Sequence, residues 1–282
     1  MMSINRRVAR WAMRFLTKPL PSYVRRIGND PDNLKCCVKS GDVILVEGDT
    51  RISQAIKYLT QSCWSHSALY VGDELLKMGG EFAERAREAC GAEADHAIIE
   101  ALVDEGVTVT PLSKYINYNI RVCRPFGITP EDQKTVVHEA VAQLGFKYDM
   151  RNLLDLARYF LPSPLIPRRY RAAALHFGSG LPTEVICSSL IAKSFQRVGF
   201  PILPELEKGT APSLRQRLTP IEKTLLGTHS EFYTGILRMR HPTLFTPRDF
   251  DLSPYFEIIK FNVVEMGAFD YRKIRWAQSD AA

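Results

Sequence analysis

Residues 63–72, CWSHSALYVG, put a cysteine and a histidine three positions apart in an apolar stretch. Cys63 and His66 could be half of a zinc site, but no second close pair of ligands completes a set of four. Strand alternation places His66, Ala68 and Tyr70 on one face, with Cys63 at or before the strand's start, so the pair need not converge. In the next apolar stretch, HAIIEAL, His96, Ile98, Glu100 and Leu102 share a face. A carboxylate in such surroundings is costly to bury unless it is paired. If the two strands are neighbours, Glu100 can hold the imidazole of His66; otherwise it is a glutamate on a half-exposed sheet.

A third chemically competent residue stands far downstream, in PTEVICSSLIAKSFQRVGF at 182–200. Ile186, Leu190, Ile191, Phe195 and Val198 form a helical apolar face, and Cys187 lies in the first turn. Free N–H groups and positive potential at a helix start lower a thiol's pKa and receive an oxyanion. Cysteine also serves as a small buried apolar residue, and histidine as a structural hydrogen-bonder. Taken together, a thiol at a helix start, an imidazole on one strand and a carboxylate on the next are the parts of a cysteine nucleophile system. Such systems are defined by geometry rather than chain order, here His, Glu, Cys.

The elements that must position these groups follow from periodicity. GDVILVEG reads as turn then strand, and RISQAIKYLTQS as a short helix. EFAERAREACGAEAD (81–95) reads as a charged helix or loop, most simply a solvated insertion. HAIIEAL, GVTVTPL and NIRVCRP read as three strands of an antiparallel meander. A helix is expected over 130–145, with Val137, Ala140, Val141 and Leu144 buried and His138 outside. Further helices are expected over about 149–160 and 184–198, joined by a loop at 161–171. Grouped strands and segregated helices make the class α+β.

At 282 residues, with 45% hydrophobic and 24% charged composition, the chain is ordinary globular material. It has no run of about eighteen apolar residues, no nucleotide-binding glycine loop and no serine-hydrolase elbow. HEAVA at 138–142 lacks the second histidine of a zinc protease. Of the formal charge of +6, residues 1–28 carry +7 with no acid, leaving the remainder at −1. Basicity confined to one terminus argues against a nucleic-acid-binding fold, so no nucleic-acid partner is expected. In segment 5–18, Val8, Trp11, Ala12, Phe15 and Leu16 line one helical face and arginines the other, the pattern of a helix on an anionic membrane surface or packed on the body. Arg10 and Arg14 interrupt any signal-peptide apolar stretch. Cys36, Cys37, Cys63, Cys90, Cys123 and Cys187 contain no C-x-x-C pattern and read as free thiols of a reducing compartment. The location expected is the cytoplasm, peripheral to the inner face of the membrane. Nothing in the sequence sets the oligomeric state.

GDVILVEG…ISQAIKYLTQSCWSHSALYVGD, IIEALVDEGVTVTPLSKYI, LGFKYD and EVICSSLIAKSFQRVGF together resemble the circularly permuted NlpC-type papain-like hydrolases, in the YiiX/YebB-like branch. The resemblance spans roughly 38–200. It implies a papain-like α+β core in permuted order, its small antiparallel sheet packed against the nucleophile helix. The division expected is a basic amphipathic helix at 1–28, a catalytic domain at 36–200 and an extension at 201–282 packed on the core. The resemblance assigns Cys187 as nucleophile, His66 as general base and acid, and Glu100 as the group orienting the imidazole. Tyr148 and Ser188 are expected at the oxyanion or substrate, and no metal or organic cofactor is implied. Ser189 stands where many relatives carry an acid. The expected activity is hydrolysis of an amide, ester or thioester carbonyl in an acyl, peptide or lipid-like substrate. Alternatives are lipid acyl transfer or thioester hydrolysis of the lecithin retinol acyltransferase type, or a non-catalytic membrane-associated binding module. LPSPLIPRRYR (161–171) is expected to touch lipid beside the site, and Arg248 to meet Asp249 or Asp251.

Overall fold

In a computed structural model, residues 18–21, 23–25, 28–102, 105–146, 186–206 and 237–262 are described. Strand β1, Val43–Glu47, is buried at every position. The apolar run VILV suits a strand covered on both faces and paired on both edges. The others are β2 (His66–Gly72), β3 (Ala97–Leu102), β4 (Gly106–Pro111), β5 (Asn119–Pro125), the short β6 (Glu205–Leu206) and β7 (Leu237–Arg238), and β8 (Phe256–Ile259). Six of them form an antiparallel sheet in the order β4-β3-β2-β1-β5-β8, and β6 and β7 pair separately.

The helices are α1 (Pro31–Cys37), α2 (Arg51–Thr60), α3 (Glu74–Met78), α4 (Gly80–Cys90), α5 (Pro130–Val141), α6 (Ile186–Arg197) and α7 (Pro247–Leu252). Their starts are written in the sequence. Asp30, Thr50 and Thr129 cap α1, α2 and α5 by accepting first-turn N–H groups, and Pro130 begins α5. Helix α6 packs on α5, β2 and β3.

Cross-strand pairs fix which side chains share a face. Val43, Leu45, Leu69, Val71, Ile99 and Cys123 face the helices, in one core with Leu190, Ile191 and Phe195 of α6. Ile44, Val46, Ala68, Tyr70, Ile98 and Val122 face the opposite layer with Leu112, Tyr115 and Phe261. His66 is opposite Val46, and Val46 opposite Ile120, so these three stand in one row on that second face.

Three expectations change. β3 and β4 form a hairpin, but β5 does not extend it; the chain crosses the second face through a 3-10 turn at Leu112–Tyr115 and pairs β5 with β1. Burying Leu112 and Tyr115 on that face carries the crossing. The segment read as a solvated insertion is α4 and a 3-10 turn, Gly91–His96, and α4 buries Ala83 and Ala86 against the helix-side core. In the tail, Arg248 meets neither acid. It donates to the carbonyl of Thr60, while Asp249 takes Arg240 and Asp251 takes Arg121 and the Trp64 indole N–H. The helix at 5–18, Tyr148, the helix at 149–160 and the loop at 161–171 lie outside the described residues, except Lys18.

The tail also anchors α6. Phe256 of β8 stands 5.3 Å from Phe195 of α6, 5.6 Å from Phe200 and 5.5 Å from Phe250 of α7, ring centre to centre, all near edge-on. Phe195 is fully buried. Truncating such a ring loses burial and leaves a cavity, so Phe195→Ala should cost about 3–5 kcal/mol of unfolding free energy, read as a lower urea midpoint at unchanged slope.

Candidate active site

Three elements bring the site together. β2 opens on His66, β3 carries Glu100 at its fourth position, and α6 carries Cys187 in its first turn. His66 Nε2 is 2.6 Å from Glu100 Oε2. The same imidazole is coupled electrostatically to the Cys187 thiol. The pairing of β2 and β3 makes the first contact possible, since Leu69 is opposite Ile99 and Tyr70 opposite Ile98.

That ladder includes Leu69, Tyr70 and Gly72 but not Ser67. Ser67 instead faces the start of α6, where the Cys187 sulfur lies 3.9 Å from Ser188 Oγ. The thiol belongs to the helix side and the imidazole to the other face, and they meet where β2 leaves its ladder. Ser67 also bonds across to Ser188, Oγ to Oγ, at 3.2 Å. Both serines are fully buried, so the Ser188 side chain ties α6 to β2. Before β2, Gly48 donates to Ser65 Oγ at 2.9 Å, and a Cβ at Gly48 would lie 2.2 Å from Ser53 Oγ. Only glycine fits between the start of α2 and the segment leading to His66.

Glu100 has no exposed surface, and four groups donate to its carboxylate. Oε2 takes His66 and, at 2.5 Å, the Tyr115 hydroxyl; Oε1 takes Thr110 at 2.5 Å and the Lys114 ammonium at 2.6 Å. Burial pushes its pKa up, but the hydrogen bond and charge of His66, then of Lys114, hold it well below the ordinary carboxylate range. Burial and the Glu100 charge raise the Tyr115 phenol, so it remains a donor. For His66, burial pushes down, while the Cys187 charge and hydrogen bond, then Glu100, push up and prevail. Burial raises the Cys187 thiol, but the His66 charge and hydrogen bond and the Ser67 bonds bring it below its ordinary value. The pair is therefore biased toward thiolate and imidazolium. Cys187 is 4% exposed and the His66 side chain 19%, so the imidazole is the more open of the two.

Cys63 is exposed and plays no part in this cluster. It lines a cavity of about 750 Å³ at the same end of the sheet, with Trp64, Ile120, Arg121, Ile258 and Phe261 also in the walls. Ile120 is two strands from His66 in the same row, roughly 10 Å at ordinary strand spacing. Arg121 stacks over Trp64 and pairs with Asp251, which fixes one wall.

Sequence reasoning missed Ser67, Thr110, Lys114 and Tyr115. One signal pointed to the last three. A buried Glu100 needs donors, and a tight β3–β4 hairpin sets Thr108 opposite it, with Thr110 diagonal on the same face. Ser189 buries its hydroxyl without a hydrogen-bond partner among the described residues.

An α+β fold with a helix-borne cysteine against a sheet-borne histidine, in the order histidine then cysteine, defines a permuted papain-like cysteine hydrolase. The chain belongs to the permuted papain-like amidase enzymes of the YaeF/YiiX, C92 family, whose model matches residues 37–179. That stretch contains His66, Glu100 and Lys114 and ends upstream of Cys187. Among solved structures, the crystal structure of the metalloprotein yiiX from Escherichia coli O157:H7 is similar at 18% identity and a TM-score of 0.43, over 79% of this chain and 97% of that one. No curated protein matches. Among the described residues, no group of three or more His, Cys, Asp and Glu side chains is placed to hold a metal ion, and no helix is long and apolar enough to cross a membrane.

Two titrations bound the thiolate–imidazolium state. As pH falls through the lowered Cys187 pKa the thiolate is lost, and as pH rises through the raised His66 pKa the imidazolium is lost. At about pH 6 an ordinary thiol is almost wholly protonated. Iodoacetamide should therefore label Cys187 at that pH faster in the wild type than in His66→Ala, by about tenfold or more, as mapped by mass spectrometry. Equal rates would mean that the imidazole does not activate the thiol.

Proposed function

We propose that the protein is a cysteine hydrolase that cleaves an amide, ester or thioester carbonyl through Cys187, His66 and Glu100. The observation that carries this reading is the His66–Glu100 hydrogen bond, with the charge of that imidazole lowering the pKa of the buried Cys187 thiol. The Cys187 thiolate attacks the carbonyl carbon, and the carbonyl π electrons move to its oxygen. Backbone N–H groups at the start of α6 stabilise that oxyanion in this reading, with Tyr148 a further candidate. Imidazolium His66 gives its proton to the leaving amine, alcohol or thiol as the tetrahedral intermediate collapses to a thioester on Cys187. Neutral His66 then takes a proton from water, whose oxygen attacks the thioester, and Cys187 leaves as thiolate while the acid departs. Glu100 stays ionised throughout and aims the ring, and Ser188 holds the helix start in place.

A lipid-like acyl substrate is the second reading, hydrolysed or transferred, and the cavity that includes Ile120, two strands from His66, favours it. Its walls combine Trp64, Ile120, Ile258 and Phe261 with the cations Arg248 and Lys260, a lining that suits an acyl chain with an anionic end. The net positive charge of residues 1–28 and the LPSPLIPRRYR segment support work at an anionic membrane surface.

Cys187→Ala should lower hydrolysis of a panel of acyl amides, p-nitrophenyl esters and acyl thioesters by about 10³-fold or more, and Glu100→Gln by about 10²-fold or more. Retention of the wild-type rate by Cys187→Ala on every substrate turned over would remove the proposal. Ile258→Glu, at a half-exposed cavity wall, should raise KM for long acyl chains several-fold more than for short ones; equal effects would remove the cavity from the substrate path. Flotation with anionic vesicles should fail for a protein lacking residues 1–28 and carrying Leu165→Asp and Ile166→Asp. Equal flotation with the intact chain would end the membrane reading.

A further inference from the structure

Glu100 is shared by two cations. Oε2 faces the imidazole of His66, and Oε1 the ammonium of Lys114 at 2.6 Å, one on each side of the same buried carboxylate. Tyr115 and Thr110, the other donors, are neutral. Cys187, the phenol of Tyr118 edge-on to Tyr115, and Thr108 opposite Glu100 are further polar groups near this cluster; Val46 and Ile120 of the adjacent strands are apolar. We infer that Lys114 is a positioning residue whose charge sets how strongly Glu100 holds the His66 proton. This rests on the proposed thiol–imidazole function.

With Cys187 as thiolate and His66 as imidazolium, the sequence Lys114, Glu100, His66, Cys187 alternates in sign and is neutral as a whole. Without Lys114 the cluster would carry a net negative charge around a carboxylate with no exposed surface. Its full field would then fall on the imidazolium, making His66 a weaker acid and a poorer donor to the leaving group. Lys114 draws part of that field away and repels the imidazolium directly. Its side chain is 34% exposed, so solvent screens it in part and the effect is a moderate adjustment. Placement follows from the 3-10 turn Leu112–Tyr115. Consecutive residues there deliver an ammonium to one carboxylate oxygen and a phenol to the other, while Lys114 Nζ lies 5.2 Å from the centre of the Tyr115 ring.

The test titrates His66 directly, by imidazole NMR in full-length protein carrying Cys187→Ala, so that the thiol no longer couples to it. Lys114→Gln, which keeps a donor but removes the charge, should raise the His66 pKa by about one pH unit. Lys114→Arg should leave it within a few tenths of a unit. Lys114→Met, lacking charge and donor, should move it in the same direction as Lys114→Gln. In the protein with Cys187 intact, kcat of Lys114→Gln should fall while the alkaline limb of its pH profile moves up. An unchanged or lowered His66 pKa in Lys114→Gln overturns the inference, as does a loss of thermal stability with no shift in pKa, which would make Lys114 a structural tether only. Failure of the underlying function reads differently: Cys187 labelling would then be indifferent to His66→Ala, whatever Lys114 does.

Discussion

A single ionised carboxylate, Glu100, buried without contact with water, sets the terms for the site. A buried charge is tolerated only when its partners are already in place. Those partners come from β2, from β4 and from the 3-10 turn that follows β4. The hairpin register, the turn's path across the sheet and the pairing of β2 with β3 must all be correct together for this charge to be stable. The energetics that hold the sheet in register are thus the same energetics that orient the imidazole.

The second constraint is topological. Sheet alternation assigns His66 to one face, while α6 is packed on the other. A thiol on that helix would be screened from the imidazole by the sheet itself if the β2–β3 ladder ran on to Ser67. The residues of β2 paired with β3 lie further along, from Leu69, and Ser67 is left beside the start of α6. The buried Ser67–Ser188 bond pins the helix at that place, and Phe256 and Phe250 brace its further end. Helix α6 is thereby fixed at both ends by groups remote from each other in sequence.

Much of this was legible in the residues. Strand periodicity gave β2 and β3 and the correct faces for His66 and Glu100, and helical periodicity gave α2, α5 and α6 with Cys187 in a first turn. The departures arose where a local pattern had no tertiary information. Three consecutive strands look alike whether they form a meander or a hairpin plus a crossing, because period-2 alternation says nothing about which neighbour a strand chooses. α4 is rich in charges, yet the small residues Ala83 and Ala86 let it approach the core closely. β8 is four residues long with two of its side chains exposed, too little signal for a strand until β5 offers an edge. The donors to Glu100 escaped notice because lysine, tyrosine and threonine in a turn are usually surface residues. Only the need to satisfy a buried charge picks them out.

β8 joins the sheet across a long stretch of sequence, Phe256 pairing opposite Pro125 and Ile259 opposite Val122. On a ribosome, β5 emerges more than a hundred residues before its outer partner. Throughout that interval the β5 edge is an open row of backbone donors and acceptors, the kind of edge that recruits other strands. Helix α6 also appears late, and the aromatic brace that steadies it includes Phe256. Synthesis therefore reaches Cys187 before the strand that secures its helix. A nascent chain stalled between them would present an unfinished sheet and an unbraced thiol, so chaperone capture in that window fits the order in which this fold closes.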